Sequence, residues 1–397
     1  MRLPPSTIDG EAPRVLEFFA GIGLARLGLE QAGFRVVWAN DYELAKREMY
    51  QANFGAGGGE FVLGDIRNVC GAGLPAGAGL AWGSSPCTDL SLAGGRAGLS
   101  GAESGAFWEY ARVLGELGDG KPPVAVLENV TGLATSHGGE DLAAAIRAFN
   151  ALGYSVDVLS IDARRFVPQS RPRLFLVGAL NPPTGYPQTN SELRPDWLQR
   201  VFADPTLRTH RAQLPAPPAP LMAGLGLCVE DLPPGDGRWW DGRRTAAFLE
   251  SLSAVQRARV DRLRLSPGIE YRTAYRRTRA GRAVWEVRPD DIAGCLRTAR
   301  GGSSKQAVAL LGNGCFHVRW MTPREYATLM GASHYKLDTA RVNQSLFGFG
   351  DAVAVPVVEW LARHYLKPLL SGEWPKTDSS KHANPAPRRA ESRAHTS

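Results

Sequence analysis

At 397 residues, 44% hydrophobic and 21% charged, the chain has the composition of a globular protein with room for one large domain plus a smaller one or a large insertion. No apolar run approaches the roughly 18 residues that cross a bilayer, and the opening residues MRLPPSTIDGEAPR hold no apolar stretch, so a cytoplasmic protein with no membrane partner is expected. The formal net charge of +7 and pI near 9.3 suit a polyanionic partner, while five scattered cysteines with no CxxC pair argue against a disulfide framework and a thiolate metal site.

Short apolar, β-prone runs alternate with helical patterns at residues 14–19, 34–40, 61–66, 80–85, 124–130, 154–161 and 173–180. This alternation predicts an α/β domain, a mainly parallel sheet with helices on both faces. Such sheets bind ligands beyond the carboxyl ends of their strands. After the first run, Phe19-Ala20-Gly21-Ile22-Gly23 opens a helical pattern, and its glycines let backbone approach a ligand at a helix N-terminus. Arg26 occupies the third-glycine position of GxGxxG, which argues against a pyrophosphate-bearing dinucleotide and leaves a smaller nucleoside. Asp41 ends the second run where it can accept from both ribose hydroxyls, and Asp65 of Gly64-Asp65-Ile66 ends the third where it can accept from an exocyclic amine. Either carboxylate taken alone could simply end a strand and cap a helix.

The fourth run ends in Ser85-Pro86-Cys87, a cysteine at a strand's carboxyl end behind a rigid proline, hence a candidate low-pKa nucleophile. The fifth ends in Leu127-Glu128-Asn129-Val130, which brings a carboxylic acid to the same crevice. Pro168-Gln169-Ser170-Arg171-Pro172-Arg173 puts two arginines on one face of the strand entry, being two residues apart. At Asn181 the composition turns to NPPTGYP, QLPAPPAPLMAGLG and DLPPGDG, a density of Pro and Gly that no regular α/β core tolerates. A first domain over 12–182, completed by 345–372, and an irregular second domain over 183–344 are therefore expected. The stretch 352–365 reads as an amphipathic helix that packs back on the first sheet, and 373–397 as a disordered tail. Cys315 and His317 are close in sequence, but core filling suits them better than metal binding, and no metal site is expected.

Taken in order, FAGIG, GDI, the Pro86-Cys87 dipeptide, ENV, QSRPR, RWMTPREYATLMG and GFGDAV resemble the C5-cytosine-specific DNA methyltransferase family. The resemblance covers 14–180 and about 291–365, leaving roughly 185–290 as the variable target-recognition region. It implies a Rossmann-like S-adenosylmethionine-dependent domain that transfers a methyl group to carbon 5 of a cytosine flipped out of double-stranded DNA. Cys87 would add to C6, Glu128 would hold N3, Arg173 would orient Glu128, and Arg171 would support the nucleophile loop. Phe19, Gly21, Ile22, Gly23, Asp41, Tyr42, Asp65, Ile66, Pro86, Asp351 and Val353 fall at cofactor positions, and Ser91 and Gln169 at DNA positions. Four positions depart from the pattern: Leu24 replaces a glycine, Thr88 a glutamine, Glu103 an arginine and Asp351 an asparagine. A restriction or other defence system is the implied partner, with the chain acting as a monomer.

A transfer-RNA cytosine methyltransferase of the same fold is an alternative, against which the long Arg-rich region speaks. An amino-methyltransferase lacks its acidic or Asn-Pro-Pro-aromatic motif after the fourth run, and a non-catalytic DNA-binding regulator would be expected to lose Cys87 or Glu128. Within 257–288 ten arginines face only Asp261, Glu270 and Glu286, and Arg276, Arg277 and Arg279 are the candidate DNA contacts.

Overall fold

The computed structural model describes residues 11–55, 60–86, 105–184, 192–233, 235–279, 281–298 and 305–374. Strands β1 (Arg14–Phe18), β2 (Arg35–Asp41), β3 (Phe61–Leu63), β4 (Leu80–Ser84), β5 (Val124–Val130), β6 (Ser155–Asp162) and β7 (Pro172–Ala179) form one sheet in the order β3-β2-β1-β4-β5-β7-β6. The first five are parallel, and β7 runs antiparallel to both β5 and β6. These are the seven runs read from the sequence. Only β3 is much shorter than its run, because Asp65 turns the chain: its carboxylate accepts the Arg67 N–H at 2.9 Å and caps the short turn Ile66–Asn68.

Alternation along each strand sends side chains to two cores. Val15, Val36, Val124 and Val126 join α1 (Leu24–Gln31) and α2 (Leu44–Phe54), whereas Leu16, Phe18, Ala125 and Leu127 join α3 (Ala106–Glu116) and α4 (Glu140–Ala151). The chain leaves β1 toward β2 and β3, then jumps back to β4 on β1's other side. That reversal opens a crevice at the carboxyl ends of β1 and β4, where a ligand site is expected.

The Pro-rich segment that composition assigns to the second domain belongs largely to the first. Leu193, Leu198, Leu207, Ala212 and Leu214 are buried in the two sheet cores, and the short α5 (Gln199–Ala203) contributes Val201. Prolines deny this segment a regular ladder, yet the edge strand β6 still holds it: the Val156 N–H donates to Arg208 O at 3.0 Å and the His210 N–H to Val156 O at 3.1 Å. Arg194, with no exposed side chain to speak of, clamps the equally buried Asp157 (Nε–Oδ1 2.8 Å).

The separate second core is smaller and more regular than expected. Phe248 of α6 (Gly242–Glu250) and Val260 and Leu263 of α7 (Ala254–Arg264) pack on an antiparallel sheet β11-β10-β8-β9. Its strands are β8 (Glu270–Arg279), β9 (Arg282–Val287), β10 (Ala307–Gly312) and β11 (Cys315–Trp320). Trp240, Trp285 and Trp320 meet beside it with ring centroids 5.2 to 5.5 Å apart. Cys315 and His317 are not core filling: the cysteine is exposed and the imidazole lies against Trp239, 5.6 Å between centroids.

The chain then returns through α8 (Pro323–Leu329), α9 (Val342–Asp351) and α10 (Val355–Leu361). The helix read at 352–365 starts at Val355, with Pro356 in its first turn, since residues 352–354 are not helical. α10 lies against α1 at Gly28, where a Cβ would sit 2.6 Å from Val355 O. The stretch Val342–Ser371 is long and apolar enough to cross a membrane, but 72% of its most apolar window is buried inside the protein. Beyond Trp374 the expected tail lies outside the described residues.

Candidate active site

The loop after β1 is built from left-handed residues: Phe19 (φ 55°), Gly21 (φ 57°) and Gly23 (φ 81°). Gly23 starts α1 with no room for a side chain, since a Cβ would lie 2.3 Å from the Phe54 ring. Asp41 ties this loop to the end of β2. Its Oδ2 accepts the Gly21 N–H and its Oδ1 the Glu43 N–H, both at 2.9 Å, leaving each oxygen a further lone pair for a ligand. Burial pushes the Asp41 carboxyl up, opposed by Lys46. Arg26, in the third-glycine position, turns away into a network: Nε to Glu30 at 2.7 Å, Nη1 to Glu60 at 2.5 Å and to the Tyr50 hydroxyl at 3.1 Å.

β4 delivers Ser84, Ser85 and Pro86 to the crevice. Cys87, Ser91, Thr88 and Glu103 lie outside the described residues. Glu128 on β5 stands opposite Ser84 in the parallel register, nearly buried, with Arg173 Nε 3.1 Å from its Oε1. Beside it, the Asn129 amide donates to Ser85 Oγ at 3.1 Å, which fixes the residue before Pro86.

Arg171 and Gln169 do not join that group. Arg171 is buried one residue before β7 and donates to Leu296 O (2.6 Å), Gly350 O (2.9 Å) and Ala352 O (2.5 Å). Gln169, expected at the DNA, is fully buried: its amide donates to Leu329 O at 2.8 Å and accepts the Leu296 N–H at 3.1 Å. Both ends of the side chain are used inside the protein, so it cannot reach a nucleic acid.

A cavity of about 1540 Å³ unites the loop, Glu128 and the second sheet. It is lined by Phe19, Gly21, Asp41, Tyr42, Pro86, Glu128, Arg173, Asp351 and Val353 among the expected residues, and Tyr42 is 51% exposed there. Ile22 and Gly23 lie beneath the loop and do not line it. Nor do Asp65 and Ile66: Asp65 pairs with Arg67, which holds its carboxyl low, and Ile66 is buried in the α3 core. Of the three candidate arginines on β8, Arg277 lines the cavity, its guanidinium 4.7 Å from the Tyr275 ring centroid; Arg276 is exposed elsewhere and Arg279 pairs with Glu286 at 2.6 Å. Lys46, Trp197, Tyr275, Cys295 and Gln306 also line it and were missed by sequence reasoning, as does Arg288, which the sequence placed only within the Arg-rich segment 257–288. Of those missed, only Tyr275 left a signal, two residues before Arg277 and so on the same strand face. Among the described residues no group of His, Cys, Asp and Glu is arranged to hold a metal ion.

A family model for C-5 cytosine-specific DNA methylase matches residues 13–210. Type II methyltransferase M.NgoBI of Neisseria gonorrhoeae is 30% identical over 235 residues, covering 55% of this chain and 72% of its own. Type II methyltransferase M.Bsp6I of Bacillus sp. (strain RFL6) is 35% identical over 172 residues, 42% of this chain and 52% of its own. The chain spans about half the length of M.Bsp6I and of M.FnuDI from Fusobacterium nucleatum (52% and 46%). The solved structure of Entamoeba histolytica methyltransferase EhMeth shares the fold, with a TM-score of 0.60 at 14% identity over 91% of this chain and 98% of that one. S. pombe Dnmt2 methyltransferase does so with a TM-score of 0.57 at 17% identity, over 90% and 99%.

Proposed function

The chain belongs to the C-5 cytosine-specific DNA methylase family, and we propose that it methylates carbon 5 of a flipped-out cytosine in double-stranded DNA, with S-adenosylmethionine as donor. One observation carries the reading: the buried Glu128–Arg173 pair, 3.1 Å apart, shares a cavity with the glycine loop and with Pro86, the residue before Cys87. The cavity residues fit the donor: the left-handed loop exposes backbone, Asp41 keeps lone pairs for ribose hydroxyls, and the half-exposed Tyr42 offers an aromatic face. When bound, that donor supplies a methyl group on a cationic sulfur.

Cytosine C5 is a weak nucleophile. The Cys87 thiolate would add to C6, pushing the C5–C6 electron pair toward C5, and is expelled later when C5 loses its proton and the double bond re-forms. Glu128 would hydrogen-bond N3 and the 4-amino group, limiting charge as the thiolate adds. Arg173 keeps that carboxylate aimed. Because C6 is hidden in a stacked duplex, the base must leave the helix, and a cavity between two domains accommodates it. Ser91, Arg276, Arg277 and Arg279 are the proposed DNA contacts. A cognate restriction or defence partner, a cytoplasmic location and action as a monomer complete the proposal.

Bisulfite sequencing of host DNA from cells expressing the chain should reveal methylated cytosines in one sequence context, absent with Cys87→Ala. Wild-type protein should also trap DNA containing 5-fluorocytosine covalently. Methylation by Cys87→Ala at an undiminished rate would refute the mechanism.

A further inference from the structure

Lys46 lies in the first turn of α2 and Asp351 is the last residue of α9, so each charge sits at the helix end whose dipole opposes it. They meet in the cavity wall. Lys46 Nζ is 3.1 Å from Asp351 Oδ2 and 3.3 Å from Glu43 Oε1, and its side chain is only 14% exposed. Burial works against the ammonium, but Asp41, then Asp351 and Glu43, outweigh it and hold the lysine well above its usual range.

The other oxygen of Asp351 accepts from Thr298 Oγ1. The backbone of its helix end is closely packed, although the Asp351 side chain itself is 42% exposed. A Cβ on Gly348 would lie 2.6 Å from Ile22, one on Gly350 would lie 2.5 Å from the Arg297 carbonyl carbon, and Arg171 holds the carbonyls on either side of Asp351. The buried ammonium of Lys46 is costly alone and is offset by Asp351 and its neighbouring carboxylates.

Building on the cofactor reading above, we propose that Lys46 and Asp351 are specificity-determining residues that set the charge of the cavity wall and favour the sulfonium donor over its demethylated thioether product. Three carboxylates, Asp41, Glu43 and Asp351, act on the one ammonium of Lys46, so this corner of the wall keeps a negative surplus, while Arg173, Arg277, Arg288 and Arg297 line the cavity elsewhere. Donor and product share every group except the methyl and the positive charge on sulfur. A change of wall charge therefore acts on the ratio of their affinities, whereas loss of a mechanical brace weakens both alike.

Titration calorimetry of the full chain with S-adenosylmethionine and, separately, S-adenosylhomocysteine reads that ratio. A unit change in wall charge should move it roughly three- to tenfold in a medium between protein and water. Asp351→Asn, nearly isosteric, should lower the preference for the donor by such a factor. Lys46→Met should raise it, and the double variant should return close to wild type. If Lys46→Met fails to fold, Asp351→Asn alone decides. Equal ratios in all folded variants, even with both affinities reduced, would overturn the proposal and leave the pair a brace. Wild type binding neither compound would instead remove the cofactor reading, and this proposal with it.

Discussion

Glu17 gives the sharpest quantitative test of how this fold carries charge. It is fully buried on β1 below the glycine loop, with Oε1 accepting the Arg26 N–H at 3.0 Å and Oε2 the Tyr50 hydroxyl at 3.2 Å. Burial pushes its carboxyl from 4.5 up to about 8, outweighing the opposing pull of Arg26, whose guanidinium also pairs with Glu30 and Glu60. Between those values the folded chain keeps a proton that the unfolded chain releases. Stability is therefore full below about pH 4.5, falls as pH rises, and levels off above about pH 8. Each tenfold change in proton affinity is worth ~1.4 kcal/mol, so the loss across the window is at most about 5 kcal/mol. Glu17→Gln is neutral at every pH and removes this slope. Urea unfolding of both proteins at about pH 5, 6.5 and 8.5 isolates the effect, because the other titrating groups cancel in the difference. The stability of wild type relative to the variant should drop by several kcal/mol from the acid to the alkaline end. A flat or rising difference would mean that Glu17 is ionised in the folded chain, and the desolvation argument would fail.

Glu128→Gln keeps the shape of the side chain beside Arg173 but loses the ionisable group, so single-turnover methylation should slow by about two decades or more while donor binding holds. An unchanged rate would remove Glu128 from the chemistry. Arg277→Ala should weaken binding to all DNA and reduce the salt slope by about one unit, whereas Arg279→Ala, whose guanidinium is already neutralised by Glu286, should change it less. Salt-dependent DNA binding measured by fluorescence anisotropy distinguishes them, and the reverse order would refute the cavity-facing assignment.

Much of the sheet was legible because parallel strands buried on both faces read as unbroken apolar runs, as in residues 124–127. The reversal of β7 was not, since its pairing with β5 depends on contacts distant in sequence. Asp41 and Asp65 look alike in the chain, each ending an apolar run. What separates them is strand order: β2 adjoins β1 at the crevice, whereas β3 is the sheet edge, so the end of β3 turns toward solvent and Asp65 caps a turn. The second sheet was hidden by its arginines, which mask the apolar alternation of β8 by occupying the exposed positions at its far end. Lys46 was invisible for a different reason, because its partner Asp351 lies at the other end of the sequence and only the packing of α9 beside α2 brings them together.

The QSRPR stretch shows how one motif divides its labour. Arg173 points up the strand to Glu128, while Arg171 and Gln169 point into the seam between the sheet and the returning chain. Leu296 is held from both sides, its carbonyl by Arg171 and its N–H by Gln169, and residues 294–298 form the cavity wall contributed by the later part of the chain. Arg171 also takes the carbonyls of Gly350 and Ala352, one residue before and one after Asp351. The same five-residue stretch thus aims the carboxylate that would meet the base and fixes both the wall opposite it and the helix end that carries the Lys46 pair. Burying a guanidinium and an amide is expensive unless their hydrogen bonds are made. Here those bonds go to backbone from three distant segments, so the distance between Glu128 and the cofactor loop is set by the chain path itself and not by any mobile surface group.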